Sequence, residues 1–262
     1  MEQYRFLIIG AHPDDMELRC GGLALRMRQK GHQVMFLSMA DGSAGHQTMT
    51  REALAQRRKE EAEALARVYD IDYQIMPIED GRLEANLQTR EALMRRIRAY
   101  APHVILTHRN VDYHPDHRAC GQLVMDCSYL VNVPLICPDV PCPPHTPVIL
   151  SMWDRFTNPV PFRPDVVVPI DDFVERKIDG VLCHVSQFYE WLPYINKWAD
   201  VEQAQTFEEK TVALRKRMHT RFSEQVRLYP ELTPKGVAYS EVFEWNEYGA
   251  KLTDELRRVM CE

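Results

Sequence analysis

Four short apolar runs alternate with amphipathic stretches through the first half of the chain. They are RFLIIGA (5–11), QVMFLSMA (33–40), YQIMPI (73–78) and HVILTH (103–108). Between them lie GGLALRMRQKGH, REALAQRRKEEAEALARVYD (51–70) and REALMRRIRAYAP, each with charged and apolar residues at helical spacing. Brief, uninterrupted apolar runs are the pattern of strands buried on both faces. Their alternation with helices predicts an α/β fold: a Rossmann-like, mostly parallel sheet with helices on both faces. In such sheets ligands bind beyond the carboxyl ends of the strands. Residues just beyond each run are therefore placed to bind. His12, Asp14 and Asp15 come after the first, and Asp41 with the loop DGSAGH after the second. Asp80 and Gly81 come after the third; Asp112, His114, Asp116 and His117 after the fourth. Titratable groups thus converge on one rim.

A dinucleotide-binding sheet places glycines in its first loop, where pyrophosphate approaches backbone N–H groups. GAHPDDMELRCGG (10–22) has a histidine and two adjacent carboxylates there, which would repel a phosphate and attract a cation. The formal net charge of −6 argues against nonspecific nucleic-acid binding, which needs a basic surface. No run approaches the roughly 20 apolar residues of a membrane span. The start of the chain lacks the pattern of a signal peptide. Together with seven cysteines, an odd number, this predicts reduced thiols and a cytoplasmic location. CPDVPC (137–142) has neither zinc-ribbon nor thioredoxin spacing and reads as a proline-rich surface loop. Farther on, VILSMWD, DVVVPID and GVAYSEVFEW read as strands. DFVERKIDGVLCHVSQFYEW and FEEKTVALRKRMHTRFSEQVRL read as helices, and these segments are expected to complete the site.

A hydrolytic zinc centre takes about three protein ligands and keeps one position open for water. His12 and Asp15 are three residues apart at a loop-to-helix start, and His114 and His117 repeat that spacing. Four candidates exceed the need by one. The remaining histidine is then free to polarise a substrate carbonyl or protonate a leaving group. If Asp15 ligates, Asp14 stands beside the ion's water, whose pKa falls toward about 7, and serves as general base. Asp116 is a candidate to orient an imidazole. Either motif alone also suits a turn with a capped helix; together, each after a strand, they supply one open metal site. Rival readings are a metal-dependent phosphoesterase, with two ions and more acids, and a catalytically silent ligand-binding protein. Arg58, Arg109 and Arg118 could meet a phosphate, but surface arginines on helices and loops are the commoner explanation.

AHPDDMELRCGG and HPDH resemble the two motifs of the LmbE-like, or PIG-L, superfamily of zinc-dependent N-deacetylases. RKEEAEALA, IEDGRL, PHVILTH, HVSQF and GVAYSEVF resemble further family segments, so the likeness runs from about Arg5 to Trp245. It implies a single deacetylase domain over residues 1–262. The aromatic stretch 188–210 is longer than in compact relatives and is expected as a lid or insertion. The resemblance also implies that His12, Asp15 and His117 hold Zn²⁺, with Fe²⁺ or another divalent ion as a substitute. It implies that Asp14 is the general base and that His114 acts as acid and oxyanion stabiliser, with Asp116 supporting one histidine. Arg58 and Asp112 fall where relatives have residues beside the substrate or behind the ligands. The implied reaction removes acetyl from a small N-acetylated amino sugar of the N-acetylglucosamine-conjugate type. Many relatives carry Glu directly after the paired aspartates; here Met16 stands there and Glu17 comes next. A homo-oligomer is compatible with the sequence.

Overall fold

The computed structural model describes residues 3–262. At its centre lies β1 (Arg5–Gly10), within one seven-stranded sheet of order β3-β2-β1-β4-β5-β7-β6. The other strands are β2 (Gln33–Ser38), β3 (Asp72–Ile75), β4 (Val104–Thr107), β5 (Val148–Met152), β6 (Val166–Pro169) and β7 (Ser240–Asn246). Pairing is parallel from β3 through β5, whereas β7 runs antiparallel to both β5 and β6. All seven strands fall on the segments read as strands, five of them trimmed at their ends, while β3 begins one residue earlier and β7 ends one residue later than its segment.

The runs are apolar throughout because both sheet faces are covered. Phe6 and Ile8 pack into one cluster with Met16, Leu23, Phe36 and Leu65. Leu7 and Ile9 pack into the opposite cluster with Leu93, Ile97, Leu123 and Val124. Each such buried side chain contributes about 1.5–3 kcal/mol. The covering helices are α1 (Asp15–Gln29), α2 (Arg51–Tyr69), α3 (Leu87–Tyr100) and α4 (Pro115–Leu130). Thr50 and Asn86 cap α2 and α3 by accepting the N–H of Ala53 and Thr89. Pro115 opens α4 at a position where no N–H is needed. Gly21 and Gly22 let α1 approach its neighbours. A Cβ would come within 2.7 Å of the Tyr69 hydroxyl at Gly21 and 2.4 Å of Ile170 at Gly22.

The chain winds outward from β1 through β2 to β3, then crosses back to β4 on the other side of β1. The crevice between the ends of β1 and β4 is the topological switch point, where ligands of such sheets bind. The two histidine–aspartate motifs leave from these two strands.

The last third extends the sheet and adds α5 (Val174–Val181), α6 (Leu192–Asn196), α7 (Ala199–Glu202), α8 (Phe207–Phe222), α9 (Glu224–Leu228) and α10 (Asp254–Cys261). α5 and α8 bury Ile178, Val181, Leu214 and Met218 in one cluster, together with Phe188 from the segment between them. The helix read from DFVERKIDGVLCHVSQFYEW is interrupted after α5 and resumes as a π-helical turn over Ser186–Trp191. Buried polar side chains are bonded to α1 and α2 at this break. His184 Nε2 meets Glu17 Oε1, and Ser186 gives its N–H and hydroxyl to Glu61, each at 2.7 Å. Of the aromatic stretch, Phe188 and Tyr189 are buried core residues, while Tyr194 is exposed. Cys137 and Cys142 are free thiols, the first buried. Among the described residues, no helix is long and apolar enough to cross a membrane.

Candidate active site

The loop after β1 is tightly bent. Asp14 has φ 144° and ψ −21°, a left-handed conformation that costs a non-glycine residue about 1–3 kcal/mol. The bend separates the two adjacent aspartates. Asp15 Oδ2 accepts the N–H of Ala11 (3.0 Å) and of His12 (2.9 Å) and lies 3.1 Å from His108 Nε2. Its other oxygen, Oδ1, lies 3.4 Å from His117 Nε2. Asp14 instead meets the buried Arg58 guanidinium, Oδ2 to Nη2 at 2.9 Å. The same Nη2 donates to the Pro13 carbonyl. Gly42, at φ +70°, makes room for this arginine: a Cβ there would sit 2.6 Å from Arg58 Nε.

His12 sits between acids on both sides. Its Nε2 is 3.1 Å from Asp116 Oδ2 and 3.1 Å from Asp80 Oδ1, and its Nδ1 is 3.7 Å from Asp15 Oδ2. Burial would lower its pKa, but Asp116, Asp80 and Asp15 outweigh it and raise the value to about 10. Burial likewise opposes ionisation of Asp80, and His12 overcomes it, leaving Asp80 at about 2. Asp116 also accepts the Gly81 N–H at 2.7 Å. The histidine that Asp116 supports is thus in the other motif.

His117 Nδ1 lies 3.2 Å from Asp112 Oδ2, an ion-pairing distance, although the ring nitrogen has no well-aligned hydrogen-bond partner. Asp112 Oδ1 accepts the His114 N–H at 2.9 Å, so it braces the second motif from behind. His114 Nδ1 accepts the Asp116 N–H at 3.2 Å. A neutral ring in that position carries its proton on Nε2.

Three overlapping groups have donor atoms within 4.8 Å of one another: His12–His114–His117, Asp15–His108–His117 and His12–Asp80–Asp116. The expected set His12, Asp15 and His117 is spread over the first two rather than closed as one tight group. Its chemistry fits a cation. With Nε2–H given to the acids, His12 Nδ1 faces Asp15 Oδ2 across 3.7 Å, a gap that a proton fills here and that a divalent cation displacing it would fill equally. Nitrogen and oxygen donors of this kind suit Zn²⁺ and other divalent ions.

The sequence reading missed His108, the last residue of the HVILTH run. It is buried and stacked on His117, with ring centroids 4.2 Å apart. Burial, and then the His117 charge, lower its pKa to about 4, so it is a neutral imidazole. Its position at a strand's carboxyl end was the available signal. Two arginines considered for phosphate are engaged elsewhere. Arg109 pairs with Asp154 through Nε (2.7 Å) and Nη2 (2.8 Å), and Arg118 holds the carbonyls of Asp112 and Tyr113.

Residues 7–128 match the family model described as PIG-L, GlcNAc-PI de-N-acetylase. The chain is 26% identical over 213 residues to the diacetylchitobiose deacetylase of Thermococcus kodakarensis, covering 73% of this chain and 74% of that protein. The solved N,N'-diacetylchitobiose deacetylase of Pyrococcus horikoshii superposes with a TM-score of 0.73 at 21% identity, over 94% of this chain and 85% of that one. The 4-oxalmesaconate hydratase of Pseudomonas putida is 23% identical over 199 residues, 72% of this chain and 76% of that protein. Two chemistries therefore occur among proteins this similar. Both motifs thus lie inside the segment that matches the PIG-L, or LmbE-like, family model, and the sheet is shared with these solved relatives.

Proposed function

We propose that the protein is a metal-dependent N-deacetylase acting on an N-acetylated amino sugar of the N-acetylglucosamine-conjugate type. One observation carries this reading: the two adjacent aspartates have different surroundings. Asp15 is fixed by backbone N–H groups and faces histidines, as a ligand must. Asp14 lies outside that hydrogen-bonded set and is held in orientation by Arg58, which leaves its second oxygen for the role of base. The deacetylase relative in sequence supports the choice of reaction.

A divalent cation held by His12, Asp15 and His117 would supply Lewis acidity, acidifying water and polarising the acetyl carbonyl. The remaining steps belong to side chains. Asp14 takes the proton of the attacking water, kept in orientation by Arg58. His114, bonded at Nδ1, directs Nε2–H at the oxygen that becomes negative. Asp14 then returns its proton to the leaving nitrogen, because His114 in this tautomer has a single proton engaged at the oxyanion. Acetate and a free amine result. Asp116 and Asp80 fix His12, and Asp112 braces His117. Both acids beside His12 are spent on its Nε2, which supports one ion per chain over the two of a phosphoesterase. Zn²⁺ suits the donors, and the seven free thiols support a cytoplasmic protein.

The hydratase relative gives a second reading, addition of water to a double bond at the same centre. Acetate release separates the two. The zinc-loaded protein is expected to release acetate and amine in equal amounts from at least one N-acetyl amino sugar in a panel, with about one ion per chain. Full metal occupancy with no acetate from any of them would overturn the deacetylase reading.

A further inference from the structure

One buried imidazole beside the site takes no part in the reaction steps. His108 directly follows β4, is 2% exposed, and comes from the strand end that launches the second motif. Its ring lies flat against that of His117, with 4.2 Å between centroids and 15° between planes. The two parallel rings address one carboxylate, each at its own oxygen. His117 Nε2 is 3.4 Å from Asp15 Oδ1, and His108 Nε2 is 3.1 Å from Asp15 Oδ2. The backbone around His108 is firmly placed. Arg109 beside it is paired with Asp154 at 2.7 and 2.8 Å. Helix α4 packs onto the chain here through Gly121, where a Cβ would lie 2.7 Å from the His108 carbonyl oxygen.

The hydrogen on Nε2 follows from its neighbours. A ring lone pair facing a carboxylate oxygen across 3.1 Å would be repelled, so Nε2 carries the hydrogen and donates it to Oδ2. The Ala11 N–H agrees, being closer to Oδ2 (3.0 Å) than to His108 Nε2 (3.3 Å). Oδ2 therefore accepts three hydrogens, but they differ in origin. Those of Ala11 and His12 come from Asp15's own loop and travel with it. The one from His108 comes from 93 residues away and ties the loop after β1 to the loop after β4. Hydrogen-bonded to the first motif and stacked on the second, His108 fixes the spacing between Asp15 and His117, two of the expected ligands.

We infer that His108 is a positioning residue for the metal site: its Nε2–H holds Asp15 in register with His117 before an ion binds, and zinc affinity depends on that hydrogen. The inference rests on the ligand set of the function proposed for this site and on no particular substrate. His108 also belongs to a group, with Asp15 and His117, whose donor atoms lie close enough to share an ion. Ligation through Nε2 would require removing the hydrogen that Asp15 holds. Added to His12, Asp15 and His117, a fourth protein ligand would also close the position that water needs. Partners that orient a metal ligand are worth roughly 10- to 100-fold in affinity.

Three variants test it. His108→Phe keeps a ring stacked on His117 and removes the donor. His108→Gln carries an amide N–H that reaches about as far as Nε2, and His108→Asn carries the same amide on a shorter stem. Zinc affinity of each apoprotein is measured by competition with a chromophoric chelator, and the visible spectrum is recorded at saturation with Co²⁺. His108→Phe is expected to bind zinc roughly 10- to 100-fold more weakly than wild type. Its saturated Co²⁺ spectrum is expected to match wild type, because the ligands themselves are unchanged. His108→Gln should return affinity to within about threefold of wild type, and His108→Asn should not. Should His108→Phe fail to fold, the comparison of Gln with Asn decides alone. Equal zinc affinity in wild type and His108→Phe, or equal affinity in the Gln and Asn variants, would overturn the inference. A Co²⁺ spectrum altered in His108→Phe would overturn it too, by making His108 a ligand. Acetate release is judged separately. Wild type that binds zinc and releases no acetate removes the deacetylase reading and leaves this inference standing; acetate release with unchanged zinc affinity in His108→Phe removes this inference alone.

Discussion

Arg58→Met tests whether the acid beside the metal site works only when its orientation is fixed. Arg58 is 2% exposed and is the cationic partner of Asp14 among the described residues, at 2.9 Å, while also holding the Pro13 carbonyl. Methionine fills much of the space but donates nothing. Both guanidinium hydrogen bonds are lost, and the one that orients Asp14 is worth about 1.5–3 kcal/mol, at a loop already strained at Asp14. The Asp14 side chain is 17% exposed, so water recovers part of the loss in stability and the full cost of a broken buried pair does not apply. For catalysis the interaction counts in full, because a mobile carboxylate spends less time aligned with its water. About 1.5–3 kcal/mol corresponds to a roughly 10- to 150-fold fall in kcat/KM. Continuous measurement of acetate release reads that fall. Metal content should remain at the wild-type level, since no expected ligand touches Arg58. A variant within threefold of wild type, folded and metal-loaded, would refute the clamp; a variant that lost its metal would place Arg58 in the metal site instead.

Gly42→Ala should reproduce a weaker form of that defect, because its Cβ would press on Arg58 Nε at 2.6 Å and the residue would be held at φ +70°; kinetics and thermal melting of the variant check both effects. Lys177→Met should destabilise the fold by about 3–5 kcal/mol in urea titration, by leaving Glu241 buried without its cation at 2.7 Å. Lys177→Met with Glu241→Gln should recover a large part of that loss. His103 concerns pH. Burial, and then His145 and Arg5, lower its pKa from 6.5 to about 4. The unfolded chain therefore binds this proton first, and the stability tied to neutral His103 is complete above pH 6.5 and lost as pH falls toward 4. Denaturation midpoints across that range should decline less steeply in His103→Gln than in wild type.

The fold was legible because parallel strands covered on both faces leave an unmistakable apolar run, as in Phe6–Ile9 and Val104–Leu106. The gathering of polar residues at the carboxyl ends of those runs, which marks the candidate site, was legible too. Other features depend on contacts that spacing does not encode. Asp116 lies beside His117 in sequence yet holds His12, whereas Asp112 stands behind His117. His108 was hidden because it ends an apolar run and reads as part of the strand. The break after α5 was hidden because the apolar spacing continues through it; only the burial of His184 and Ser186 against Glu17 and Glu61 reveals it.

The central claim is that one aspartate holds the ion and its neighbour moves the proton. Asp14→Asn and Asp15→Asn, measured side by side for metal content and acetate release, test it directly. The account predicts that Asp14→Asn keeps about one ion per chain while turnover falls by roughly 10²–10⁴, and that Asp15→Asn loses the ion. Near-wild-type turnover in Asp14→Asn, or full metal occupancy in Asp15→Asn, would contradict it.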